Sequence, residues 1–206
     1  MSHAETLPVA APGLNAILFG LSGCLVDFGA RARQQSAALP EHAETTPGAL
    51  ESLQSLQRQQ IPCAWLDDLP PALAQPLSAA LPAWIKPAQH SATINPWPAP
   101  NACWQALMDL NVGSLDGCVL VSGEPRLLQS GLNAGLWTIG LASCGSLCGL
   151  APGEWQALSQ KEREQLRGKA TMQLFGLGVH SVIDHLGELE TCLADISLRR
   201  LKGEKP

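Results

Sequence analysis

The 206-residue sequence has no tyrosine and only three phenylalanines, set against six tryptophans. Charge is also scarce: 13 Lys and Arg against 18 Asp and Glu leave a net charge of −5, with 15% of residues charged. No basic face is available to neutralise phosphates, which excludes DNA and RNA as expected partners. Long apolar runs are missing too. The longest mainly apolar stretch, Ile17 to Val26, is too short to span a bilayer, and MSHAETLPVAAPG lacks the basic and hydrophobic regions of a secretion signal. The expectation is a cytoplasmic chain without a membrane partner.

Paired cysteine spacing is absent as well. Seven cysteines are scattered along the chain, and an odd count without a secretion signal points to reduced thiols, most of them small core residues. The one close pair, Cys144 and Cys148 in CGSLC, has no second CxxC or His-rich segment to complete a metal site. A chain of this length can bury a substantial core without disulfides. No internal repeat is visible.

What is present is an alternation of strands and helices. Ala16 to Phe19 reads as a buried strand running into a Gly-punctuated loop that carries one acid, Asp27. The polar, Ala-rich connection that follows is interrupted by Pro40 and Pro47, and Pro47 suits the first turn of a helix running to about Gln59 with Leu50, Leu53 and Leu56 at helical spacing. IPCAWL predicts a second strand ending near Leu66, with Asp67 and Asp68 immediately beyond it. A Pro-broken helix and a strand around Trp84 and Ile85 come next. A helix from about Asn101 to Leu110 is expected to turn Trp104, Leu107 and Met108 inward. GCVLVSGEPRLLQSGLNAGLWTIGL then reads strand, loop, helix, strand, and the tail supplies an amphipathic helix from about Glu162 to Leu174, a strand in VHSVI and a last helix from Leu186 to about Leu201. Near-continuous apolar strands alternating with helices imply an α/β fold with a parallel sheet covered on both faces.

Three stretches carry a resemblance. ILFGLSGCLVDFG, PAPNACWQALMDLNV and GEPRLLQSGLNAGLWTIGL are similar to the first motif, the helix after the third motif, and the fourth motif with its helix in the haloacid dehalogenase superfamily, phosphonoacetaldehyde hydrolase branch. GVHSVIDHLGELETCL resembles the branch's C-terminal end. The resemblance implies a Rossmann-like parallel sheet with helices on both faces: residues 1–13 a flexible N-terminus, 14–206 a single core domain, and 30–46 a vestigial cap connection.

Chemistry is where the sequence departs from the resemblance. The family's first Asp is both nucleophile and Mg²⁺ ligand, since covalent catalysis and a hard cation both require an anionic oxygen. Here that position is Gly20, followed by Ser22 in place of the branch's Ala and by Cys24 in place of its Thr, while Gly23 and Asp27 remain as structural elements of the loop. The second motif's hydroxyl falls at Trp65 or Leu66, and the third motif's phosphate-binding Arg at Trp97. No Lys or Arg stands between Lys86 and Arg126, so a phosphate cation is missing from that segment. In the fourth motif an ungapped reading puts Gly123 and Leu127 at the two acids, whereas a one-residue gap, which keeps Gly123 in the turn, puts Glu124 at the first. The plainer reading of Glu124 is an exposed acid beside a helix start, favoured by the dipole. The cap lysine of the branch has no counterpart, because no lysine precedes Lys86.

These losses imply a catalytically degenerate relative without a cofactor, kept for binding, regulation or oligomerisation with a protein, a small molecule or a second copy of itself. Trp65 and Trp97 are expected to fill the former pocket or to be ordinary core aromatics. The alternative is a hydrolase of a small phosphorylated or phosphonate substrate with rebuilt chemistry. It would use Ser22 or Cys24 as nucleophile, His90 or His180 as base, and Mg²⁺ on Asp67, Asp68 or Glu124.

Overall fold

The computed structural model describes residues 13–34, 40–88 and 95–206; the expectations for 1–12 and for His90 lie outside them. Six parallel strands form one sheet: β1 (Ala16–Gly20), β2 (Cys63–Leu66), β3 (Lys86–Pro87), β4 (Cys118–Ser122), β5 (Trp137–Leu141) and β6 (Ser181–Ile183), in the spatial order β3-β2-β1-β4-β5-β6. β1, β2, β4 and β5 are buried at every position, as their unbroken apolar sequences require of strands covered on both faces. Register sets Phe19 beside Trp65 and Val121, so the carboxyl ends of β1, β2 and β4 finish together.

Strand alternation divides the core. Ile17, Phe19, Trp65, Val119 and Val121 face one side, where they pack with Leu53 and Leu56 of α1 (Ala49–Arg58), Ala74 and Leu77 of α2 (Pro71–Leu77), and Ile196. Ala16, Leu18, Leu66 and Leu120 face the other, against α3 (Asn101–Asp109) and Leu127 of α4 (Pro125–Asn133). Three helices complete the chain: α5 (Pro152–Ala157), α6 (Gln160–Gly176) and α7 (Leu189–Leu201), the last contributing Ile196. No helix among the described residues is long and apolar enough to cross a membrane.

Three helix expectations are corrected. α3 turns Cys103, Ala106 and Leu107 inward, while Trp104 and Met108 are exposed at 43% and 63%; the small residues let the helix lie close on the sheet. α6 begins two residues before the expected start because Ser159 caps it, accepting from the Glu162 N–H while Glu162 accepts from the Ser159 N–H. It is also less amphipathic than expected, burying only Ala170 and Leu174. α5 was not foreseen. The strand expected at Trp84 and Ile85 lies two residues later, at Lys86–Pro87.

Candidate functional site

In a parallel α/β sheet the loops beyond the carboxyl ends of the strands form the crevice where ligands bind. Gly20 ends β1 there and is buried. A Cβ built on it would lie 2.7 Å from Ser122 Oγ and 3.3 Å from Ser122 Cβ. The Ser122 hydroxyl, wholly buried, accepts the Glu124 N–H at 3.0 Å. A side chain at position 20 would therefore press on Ser122, whose hydroxyl would have to turn aside.

After β1 the chain turns tightly, with the Gly23 N–H donating to the Val26 carbonyl at 2.9 Å and Gly23 at φ +71°. Asp27 then anchors the loop. Its fully buried carboxylate accepts from the Ser22 hydroxyl (2.6 Å), the Arg31 N–H (3.0 Å) and the Ala32 N–H (3.0 Å). The last two bonds cap a 3-10 turn at Arg31–Gln34 in the manner of an N-cap aspartate, and that turn carries Arg33 over the strand ends.

Arg33 is the residue that sequence reasoning missed. Its guanidinium pairs with Asp67 at 3.2 Å and with Asp68, stands 3.8 Å from Glu124, and lies over the Trp97 ring at 5.7 Å from the centroid. The cation absent from the segment between Lys86 and Arg126 thus enters from the connection after β1. Arg126 joins the same corner by donating to the Trp97 carbonyl. Arg33 Nε is buried without a hydrogen bond. Burial works against the Arg33 charge, but Asp67 and Asp68 override it and hold the guanidinium above its ordinary value. Burial likewise lifts the Asp67 carboxyl above its usual value, against the pull of Arg33 and of the Ser22 and Leu69 N–H groups that donate to it at 3.1 and 2.8 Å.

The other positions sort clearly. Gly123 sits in the turn, where a Cβ would fall 2.3 Å from the Gly23 carbonyl oxygen and 2.4 Å from Gly145 Cα. No side chain fits there, so the acid of this segment is Glu124. Glu124 caps α4 by accepting the Arg126 N–H at 3.2 Å, and its side chain is 13% exposed and turned toward Arg33. It is not the exposed acid of the plainer reading. Leu127 and Leu66 are core residues. Trp97 is buried beside the crevice, but Trp65 belongs to the opposite core cluster with Phe19 and Leu77 and fills no pocket at Gly20.

Among the described residues, the nucleophile and base candidates for rebuilt chemistry do not assemble. The Cys24 thiol is wholly buried, donates to the Val121 carbonyl at 3.4 Å, and is pushed well above its ordinary pKa by burial and by Cys144. Ser22 donates to the Asp27 carboxylate, which also accepts the Arg31 and Ala32 N–H groups, and not to His180. His180 lies at β6, where its Nδ1 accepts the Thr138 N–H at 3.0 Å. Cys144 and Cys148 donate to the carbonyls of Asp184 and Ala142, and burial pushes Cys144 up to about 12.

The residues present do not fit Mg²⁺. Position 20 offers no carboxylate, and the three acids that converge nearby are directed at the guanidinium. No group of three His, Cys, Asp or Glu side chains among the described residues is arranged to hold a metal.

No family model matches the chain. Phosphonoacetaldehyde hydrolase from Aeromonas hydrophila is 31% identical over 180 residues, covering 84% of this chain and 63% of that protein. This chain spans 40% to 66% of the length of the curated relatives it matches. A solved structure of 64% identity covers 94% of this chain and 100% of its own, with a TM-score of 0.91. The phosphonoacetaldehyde hydrolase like protein from Oleispira antarctica, 23% identical, covers 99% of this chain and 100% of its own at a TM-score of 0.84, a likeness of fold.

Proposed function

The chain belongs to the haloacid dehalogenase superfamily, in its phosphonoacetaldehyde hydrolase-like branch, and from that premise we propose that it is a non-hydrolytic member. Its catalytic crevice is closed by its own arginine, and it serves as a binding, regulatory or oligomerisation module in the cytoplasm. The observation that carries this reading is the Arg33 cluster. A guanidinium stands among Asp67, Asp68 and Glu124, where a hydrolase of this family would need a nucleophilic carboxylate, a divalent cation and an incoming phosphoryl group.

Three further features support it. Gly20 supplies no nucleophile, and a side chain there would press on Ser122. Cys24 is held as a buried thiol rather than a thiolate. The 28 residues between β1 and α1, Leu21 to Gly48, contain among the described residues only two 3-10 turns, Arg31–Gln34 and Pro40–Ala43, consistent with a cap reduced to a connection. No lysine lies in that connection to form a Schiff base with an aldehyde.

The test is phosphate release from phosphonoacetaldehyde and from an aryl phosphate, with Mg²⁺ present. The expected result is no turnover above that of a Cys24→Ala, Glu124→Ala double variant. Mg²⁺-dependent turnover that the double variant abolishes would overturn the reading.

A further inference from the structure

A second cavity, of about 510 Å³, opens beyond the carboxyl ends of β5 and β6, away from the Arg33 cluster. Its size suits a small ligand, and its place past the strand ends is where parallel sheets bind one. Phe28 and Trp155 form an aromatic wall, both half-buried, with ring centroids 6.1 Å apart and planes tilted by 54°.

Three polar side chains that line the same cavity hold donors without a protein acceptor among the described residues. Ser143, just past β5, is 5% exposed. Its N–H donates to the Asp184 carbonyl at 3.1 Å, but its hydroxyl has no hydrogen-bond partner among the described residues. Arg163 of α6 is half-buried at the cavity and has no ion-pair partner among the described residues. His185 accepts the Gly187 N–H on Nδ1 at 3.2 Å, which in the neutral ring leaves the proton on Nε2 as a free donor. Of the other charges lining the cavity, Arg167 pairs with Asp184 at 2.7 Å, whereas Glu164, which accepts from the Gln160 amide at 2.8 Å, and the exposed Glu44 keep their negative charge. The Ser143 hydroxyl opens on the cavity, where an oxyanion would accept from it and from the guanidinium.

We propose that this cavity binds a small aromatic oxyanion, its ring against Phe28 and Trp155 and its negative group on Arg163, Ser143 and His185. The site stands apart from the Arg33 crevice and does not depend on whether that crevice is catalytic. A carboxylate and a phosphate monoester present the same acceptor chemistry, so both serve as probes.

The experiment is titration calorimetry on the full chain with benzoate, phenyl phosphate and neutral benzamide. At least one anion is expected to saturate below about 5 mM, with benzamide about tenfold weaker. Arg163→Gln, a change on a half-exposed helix face, should weaken that anion about tenfold and leave benzamide unchanged. Ser143→Ala should weaken it about threefold without shifting the unfolding midpoint, since the hydroxyl holds no partner in the free protein. The anion that saturates identifies the headgroup. The proposal is overturned if neither anion saturates by about 5 mM, if benzamide binds as well as the anions, or if Arg163→Gln leaves the anion affinity unaltered.

Discussion

Replacing Arg33 with methionine keeps apolar bulk over Trp97 but removes the cation from Asp67, which is 1% exposed. Taking one partner from a buried ion pair costs about 3–5 kcal/mol, because the remaining charge is left uncompensated. Asp67 keeps the Ser22 and Leu69 N–H groups, and Asp68, 39% exposed, is rehydrated at little cost. The lower end applies, about 3 kcal/mol at pH 7, a large part of the ~5–15 kcal/mol that holds a domain folded.

The pH dependence has a definite sign. Burial already raises the Asp67 carboxyl, and without Arg33 it rises further. The folded variant therefore disfavours ionisation more than the unfolded chain does. Its penalty is full at pH 7 and disappears as pH falls toward the ordinary carboxyl value of 3.8. Urea unfolding of wild type and Arg33→Met at pH 7 and pH 4.5 measures both, and adding Asp67→Asn should recover all but about 1 kcal/mol at pH 7. A loss below about 0.5 kcal/mol at pH 7, or an equal loss at both pH values, would refute the reasoning.

Three other predictions follow from the same geometry. Gly20→Ala should destabilise by about 1–3 kcal/mol through the 2.7 Å approach to Ser122 Oγ, and Ser122→Gly should relieve most of that in a double-mutant cycle; an additive cycle would contradict the contact. Cys24 and Cys144, buried and raised, should resist iodoacetamide at pH 8 until the chain is unfolded, as mass spectrometry of the labelled peptides would show. Burial, and to a lesser degree Arg199, lowers the His180 pKa, so the fold prefers the neutral ring. Stability should fall as pH drops below about 6.5 through the depressed value. His180→Asn, whose amide oxygen can still accept the Thr138 N–H, should lose that component, and an unchanged pH profile would count against it.

The sheet was legible because its strands are unbroken apolar runs. AILF, CAWL and CVLV have no reading as solvated segments, and the acids and glycines after them mark the crevice edge. Asp27 could also be read as a loop anchor, since it is the sole acid in an apolar turn. The face of α3 was not legible: Trp104 and Met108 recur at the same helical spacing as Cys103, Ala106 and Leu107, and only close packing on the sheet decides between them. Arg33 escaped for a different reason. It lies 34 residues from Asp67 in a polar, Ala-rich segment that reads as linker. The one available signal was the Asp67-Asp68 pair at a buried strand end with no basic residue in its own segment, a charge imbalance that required a cation from elsewhere.

The most direct test of an arginine standing in the place of a metal is a crystal of this chain soaked in millimolar Mn²⁺ and phosphate, with anomalous scattering recorded at the strand ends. The account predicts the Arg33 guanidinium between Asp67 and Glu124 and no anomalous peak there. Mn²⁺ bound to Asp67 or Glu124, with Arg33 displaced and phosphate beside it, would contradict the account.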